Sequence, residues 1–143
     1  MFKTDKSKEL YFGTKGRIAT ERMRGQHERC YRFARDCAGA VKSLGKIAQN
    51  QIYSRQLIRS SLSIPANYIE AQEALSRRDF LYRLRICRKE SKESIQWIRL
   101  IVETNDSGIE NFEMLLQESK ELMLIFSKAV GTALKWTDEP IKT

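Results

Sequence analysis

The chain has 143 residues with a formal net charge of +8, 41% hydrophobic and 31% charged residues, seven glycines and two prolines. That size predicts one domain. The scarcity of Gly and Pro argues against an all-β or disordered chain, and the basic balance (pI near 9.6) favours an anionic partner, nucleic acid first. No apolar run approaches the roughly eighteen residues that a membrane span needs, and no apolar signal core opens the chain. With an odd count of three cysteines, these features predict a reducing, cytoplasmic setting.

Residues 1–20 read as a basic tail (Lys3, Lys6, Lys8, Lys15, Arg17) without sustained periodicity, either a simple extension or a nucleic-acid arm. A first helix is expected from about Glu21 to Gly45. Met23, Cys30, Ala34, Cys37, Val41 and Leu44 fall on its core face, and Arg24, Arg32, Arg35, Lys42 and Lys46 on another. A short link then predicts a second helix that returns antiparallel, with Asn50 as its cap.

The second helix carries two apolar stripes. Tyr53, Leu57, Ile64, Tyr68, Ala71 and Leu75 form one, and Ile58, Leu62, Pro65, Ala66 and Ile69 the other. A helix apolar on most sides is expected to be buried on most sides, as a central helix. Pro65 leaves two readings open: a kinked continuous helix, or a fresh helix capped by Ser63. In the first reading Ser60, Ser61 and Ser63 offer hydroxyls to the freed carbonyls. Asn67 and Glu70, polar in an apolar segment, are expected to bond across the helices or at a subunit contact.

Ser76 and Asp79 have the spacing of a helix start. The third helix is predicted to run to about Thr104, with Phe80, Leu84, Cys87, Ser91, Ile95, Ile98 and Val102 on its core face. From Arg77 to Arg99 it holds eight basic residues against three acidic. Lys89 and Glu93 pair at four-residue spacing, whereas Arg85, Arg88, Lys92 and Arg99 make a row some 20 Å long, at 1.5 Å per residue. With Arg35, Lys42, Arg77 and Arg78 these are the candidate nucleic-acid-binding residues. A purely solvated face is the competing reading. Tyr82, Ile86, Trp97 and Leu100 form a second apolar stripe, the candidate subunit interface. Ser107 with Glu110 suggests a capping box for a fourth helix from about Ile109 to Lys135. Its core stripe holds Phe112, Leu115, Leu116, Leu122, Met123, Phe126, Val130 and Ala133. The expected fold is all-α, an antiparallel up-down-up-down four-helix bundle over residues 21–136 with a tail over 137–143.

The run SIPANYIEAQ (Ser63 to Gln72), followed by Ser76 to Ile101, resembles the four-helix bundle protein family of 23S ribosomal RNA intervening sequences. That family's pattern is S-I-P/G-A-N, a hinge, a D/E-F start and a K/R-E-A/S run ending near Trp or Tyr. Ser63, Ile64, Pro65, Ala66, Asn67, Tyr68, Glu70, Ala71, Asp79, Phe80, Lys89, Glu90, Glu93 and Trp97 fit it. The resemblance does not reach residues 1–20. It implies a bundle and a ring-shaped homo-oligomer, with related proteins forming pentamers, but no reaction. A distant bundle group assists the reverse transcriptases of diversity-generating retroelements and binds nucleic acid.

Enzyme chemistry finds little support. No phosphate-cradling glycine loop or H-E-x-x-H motif occurs, and His27 is the only histidine. Glu70 and Glu73 lack the E-x-x-H partners of a di-iron site. Cys30, Cys37 and Cys87 fall on core faces without zinc spacing. The sequence therefore predicts no catalytic residues, no metal and no cofactor. It predicts a non-enzymatic oligomeric bundle that binds RNA or DNA without sequence preference, or a nucleic-acid-processing partner such as a reverse transcriptase. A structural or protein-interaction module without nucleic acid is the alternative.

Overall fold

The computed structural model describes residues 21–137. The tails expected over 1–20 and 138–143 lie outside the described residues. Among the described residues there are four α-helices, one short 3₁₀ turn and no strand. They are α1 (Glu21–Ala40), the 3₁₀ turn (Val41–Ser43), α2 (Ala48–Gln72), α3 (Arg77–Thr104) and α4 (Phe112–Thr137). Each helix packs on its neighbour in the chain, most extensively α2 on α3 and α3 on α4, and α1 also meets α4.

The expected core stripes account for most of the interior. Met23, Cys30, Ala34, Cys37 and Leu44 are buried on the first stretch, as are Phe80, Leu84, Cys87, Ser91 and Ile98 on α3 and Phe112, Leu115, Leu122, Phe126, Val130 and Ala133 on α4. Phe33, Leu81, Ile101 and Ala129 join them. Val41, Val102 and Leu116 pack at the edge. The rings of Tyr68 and Phe126 meet at 6.0 Å and 59°, a tilted arrangement that aromatic quadrupoles favour.

Small polar side chains line the contact between α2 and α3. Ser60 Oγ and Ser94 Oγ lie 2.8 Å apart, both buried, and the Cys87 thiol donates to the Ile64 carbonyl at 3.5 Å. The register is read from such pairs: 50 with 105, 60 with 94, 67 with 83. Rising numbers on α2 meet falling numbers on α3.

α2 is continuous through Pro65. The serines bond one turn earlier than expected. Ser60, Ser61 and Ser63 donate to the carbonyls of Leu57, Ile58 and Arg59, upstream of the Ser61 carbonyl that the missing proline N–H frees.

Three other expectations are corrected. Asn50 does not cap α2, because the helix starts at Ala48 with Ile47 before it. Asn50 is instead buried within the helix, and its amide donates to the Gly45 carbonyl and to Asn105. The Ser107–Glu110 box does not start α4. Gly108 adopts φ +75 and its carbonyl accepts from Ser43 Oγ at 2.8 Å, so the chain docks on the end of α1 and turns helical only at Phe112. A Cβ at Gly108 would lie 2.4 Å from the Ser43 carbonyl oxygen, which excludes any larger residue without rearrangement.

The third correction concerns α2, which is buried on one side only. Leu62 and Ile69 of its second stripe are 53% and 46% exposed, and Ala66 is exposed beside them. Hydrophobic periodicity marks a face as apolar but does not say what covers it. Glu70 is likewise exposed and makes no bond across the helices among the described residues. Asn67 does find partners, donating to the Ser63 carbonyl and accepting from Arg83 Nη1 at 3.1 Å.

Candidate nucleic-acid interface

The N-terminus of α3 is set by Ser76, whose hydroxyl accepts the Asp79 amide at 3.0 Å, as its spacing predicts. From there α3 runs 28 residues without Gly or Pro. Its inner face is held by Phe80, Leu84, Cys87, Ser91 and Ile98, which fixes the outward direction of the remainder. Arg78, Arg85, Lys92 and Arg99 are all exposed. They recur every seven residues, so they drift only about 20° per step and form one nearly straight line. At 1.5 Å per residue the line is about 31 Å long with cations about 10 Å apart.

This line differs from the expected row. Arg78 extends it by one turn of the heptad, whereas Arg88 is half-buried and sits toward its edge. Arg78, Arg85, Arg88 and Lys92 make no ion pair among the described residues. Arg99 reaches Glu103 at 3.4 Å, but both side chains are 61% exposed, and such a pair is worth little in water. Arg77 is half-buried and has a partner. Arg35 and Lys42 are exposed but belong to α1 and the turn after it, and Arg35 pairs with Asp36 at 3.2 Å. The α3 residues therefore form one face, and Arg35 and Lys42 stand apart from it, since α1 packs chiefly on α2.

Carboxylates meet several of the other cations, Arg29, Arg35, Arg59, Arg83 and Lys89. The expected Lys89–Glu93 pair is replaced by Lys89 with Glu90 at 3.6 Å. Arg59 of α2 instead reaches Glu93 at 2.8 Å and Glu90 at 3.5 Å. Glu90 is only 7% exposed. Desolvation, with the Glu93 charge adding to it, pushes its carboxyl above the ordinary range, whereas the Arg59 bond pulls Glu93 below it. On α4, Glu118 accepts from Arg29 of α1, and Glu121 lies 3.3 Å from the same guanidinium. The bond to Glu118 raises Arg29 further above its usual value. The acidic first half of α4 thus serves α1 as well as its own helix dipole.

Of the proposed subunit stripe, only Tyr82 is openly exposed, with the Arg83 guanidinium 5.5 Å from its ring. Trp97 lies against Tyr53 of α2 at 6.4 Å, and its buried indole N–H has no partner among the described residues. Ile86 and Leu100 are half-buried.

Nucleophile chemistry is poorly served. Cys30 and Cys37 are buried and each is pushed up to about 12, and burial raises Cys87 as well, so all three stay thiols. Among the described residues no group of three His, Cys, Asp or Glu side chains could hold a metal ion. His27 is half-buried at the edge of the α1 core face. A cavity of about 130 Å³ between α1, α2, α3 and α4 is lined by Met23, Gln26, Tyr68, Leu84, Phe126 and Ala129, among others. No helix of the described residues is long and apolar enough to cross a membrane.

The described residues are thus all-α, four packed helices with a long cationic face on α3. The family model of the 23S rRNA-intervening sequence proteins matches residues 27–128, and the chain belongs to that family. It is similar to a crystal structure from Bacteroides thetaiotaomicron described as a protein of unknown function from the S23 ribosomal protein family. The two are 28% identical with a TM-score of 0.68, over 76% of this chain and 97% of that one. Comparison with curated proteins gives no match.

Proposed function

We propose that the chain is a non-enzymatic, up-down-up-down four-helix bundle that assembles into a homo-oligomer and binds nucleic acid along α3 without reading its sequence. The observation that carries this is the line Arg78, Arg85, Lys92 and Arg99. Of these four only Arg99 meets a carboxylate among the described residues, and all four share one unbroken helix at even spacing. Unmatched cations at even spacing suit phosphate oxygens, and arginine can grip them bidentately. The antiparallel arrangement is supported by the opposed register of α2 and α3. The family's name ties its members to intervening sequences of 23S rRNA, which makes ribosomal RNA the first ligand to try. A nucleic-acid-processing partner such as a reverse transcriptase is the second.

Assembly is supported by the open α2 stripe of Leu62, Ala66 and Ile69, with Ile58 half-buried at its end. A helix face of this apolar character gains by being covered. It lies on a different helix from the cationic line. The same stripe favours the other reading, a protein-interaction module with no nucleic acid.

The test is a titration of labelled RNA and DNA of several sequences with wild type and with Arg85→Glu/Arg88→Glu/Lys92→Glu. The proposal expects binding that the triple variant weakens about equally for every sequence. Unchanged binding by the variant leaves the face as a solvated surface, and the interaction module takes over.

A further inference from the structure

We infer that the α3 face takes double-stranded nucleic acid in preference to single strands, an inference that rests on the nucleic-acid reading above. Three features of the face point the same way. First, its shape is that of a rod. α3 has no Gly or Pro along 28 residues and is anchored along its inner side by Phe80, Leu84, Cys87 and Ile98, so the backbone positions that carry its cations are fixed. A duplex is equally stiff at this scale, with a persistence length of about 50 nm, so neither partner loses much freedom on docking. A single strand would have to be straightened along the rod at an entropic cost.

Second, charge density favours the duplex. Double-stranded DNA presents one charge per about 1.7 Å of axis, and each strand alone one per about 3.4 Å. A line of cations about 31 Å long covers about nine base-pair steps.

Third, the face lacks stacking platforms. Proteins that hold single strands stack successive bases on aromatic rings. No aromatic lies between Arg78 and Arg99 on this line. Tyr82 stands at its margin beside Arg83, and Trp97 is turned to Tyr53 on α2.

The experiment uses the full chain with three labelled probes of about ten nucleotides per strand: duplex RNA, duplex DNA and single-stranded RNA. Anisotropy titrations at 50 mM salt compare wild type, Tyr82→Ala, Arg78→Glu/Arg85→Glu/Lys92→Glu and the milder Arg78→Gln/Arg85→Gln/Lys92→Gln. The inference expects duplexes to bind at least about tenfold more tightly than the single strand. It also expects both triple variants to lose most of that binding while keeping wild-type helicity by circular dichroism, and Tyr82→Ala to match wild type. Single strands bound as tightly as duplexes, or binding that falls with Tyr82→Ala, would overturn the duplex preference while leaving the nucleic-acid reading intact. No binding of any probe by wild type would overturn both.

Discussion

Asn50 and Asn105 exchange two amide hydrogen bonds, each 2.9 Å, joining the start of α2 to the residue that follows α3. Each also ties its own segment, Asn50 to the Gly45 carbonyl and Asn105 to the Ile101 carbonyl. Four bonds thus satisfy two side chains at one end of the molecule, where two chain reversals meet. Removing one partner strands the other in a partly dry site. Asn50→Ala is expected to cost about 1–3 kcal/mol. The double variant Asn50→Ala/Asn105→Ala should cost less than the sum of the two single variants. Urea unfolding followed by circular dichroism measures both quantities, and strict additivity would show that the pair is not coupled.

Gly108 sits at the same end. Its positive φ and its approach to Ser43 predict that Gly108→Ala destabilises by about 2–3 kcal/mol, from backbone strain plus displacement of the Ser43 carbonyl. Gly131, where an added Cβ meets nothing within 4 Å, is the matched control. Gly131→Ala should be neutral or stabilising by up to about 1 kcal/mol, as a helix-interior change. Thermal melts of the two variants side by side distinguish these outcomes.

Glu90 and Glu93 oppose each other in pH dependence. Glu93, held below the ordinary range by Arg59, contributes stability that is present above the unfolded carboxyl pKa and is lost as pH falls through its lowered value. Glu90, raised by burial, holds its proton more tightly folded than unfolded, so its contribution is lost as pH rises through the raised value. Replacing Glu90 leaves Arg59 its closer partner, Glu93. Glu90→Gln is therefore expected to stabilise at pH 7 by up to about 1 kcal/mol, with no gain near pH 3. Glu93→Gln should cost about 0.5–1 kcal/mol at pH 7, discounted because Glu93 is 40% exposed. Denaturant midpoints at the two pH values read the sign in each case.

The open stripe of α2 predicts where assembly fails. Light scattering at micromolar concentration should show wild type larger than one chain, and Leu62→Glu/Ile69→Glu should reduce it to a monomer that keeps its helicity. Trp97→Ala/Leu100→Ala tests the other stripe. Because Trp97 packs on Tyr53, this pair is expected to lower stability by about 3 kcal/mol or more. If that pair alone abolished assembly while the α2 variant did not, the contact would lie on α3.

Helix count, most core stripes and the Ser76 cap were legible in the sequence, because each rests on spacings of three or four residues, whereas Pro65 left two readings open and the continuous helix is the one observed. The features that hold the elements together were not. Asn50 and Asn105 are 55 residues apart, Ser43 and Gly108 are 65, and Arg59 and Glu90 are 31. No local pattern selects such partners. The pairing of Lys89 with Glu93 looked sound at four-residue spacing, yet Arg59 arrives from another helix and takes Glu93 instead. The cationic residues of α3 were legible as a group, but periodicity alone did not separate Arg88, which is half-buried, from Arg78, which lies on the open line. The second stripe of α2 read as interior because an apolar face is equally consistent with a core and with a subunit contact.

The central claim is that α3 binds phosphate, and the salt dependence of that binding tests it most directly. For a duplex, each phosphate neutralised contributes about 0.9 to the slope of log affinity against log salt. Four cations on one line predict a slope near −3.6, or about a hundredfold loss of affinity between 50 and 200 mM salt. Arg85→Gln/Lys92→Gln should bind more weakly and shrink the slope by about 2. A wild-type slope near zero, or a double variant with the wild-type slope, would contradict the account.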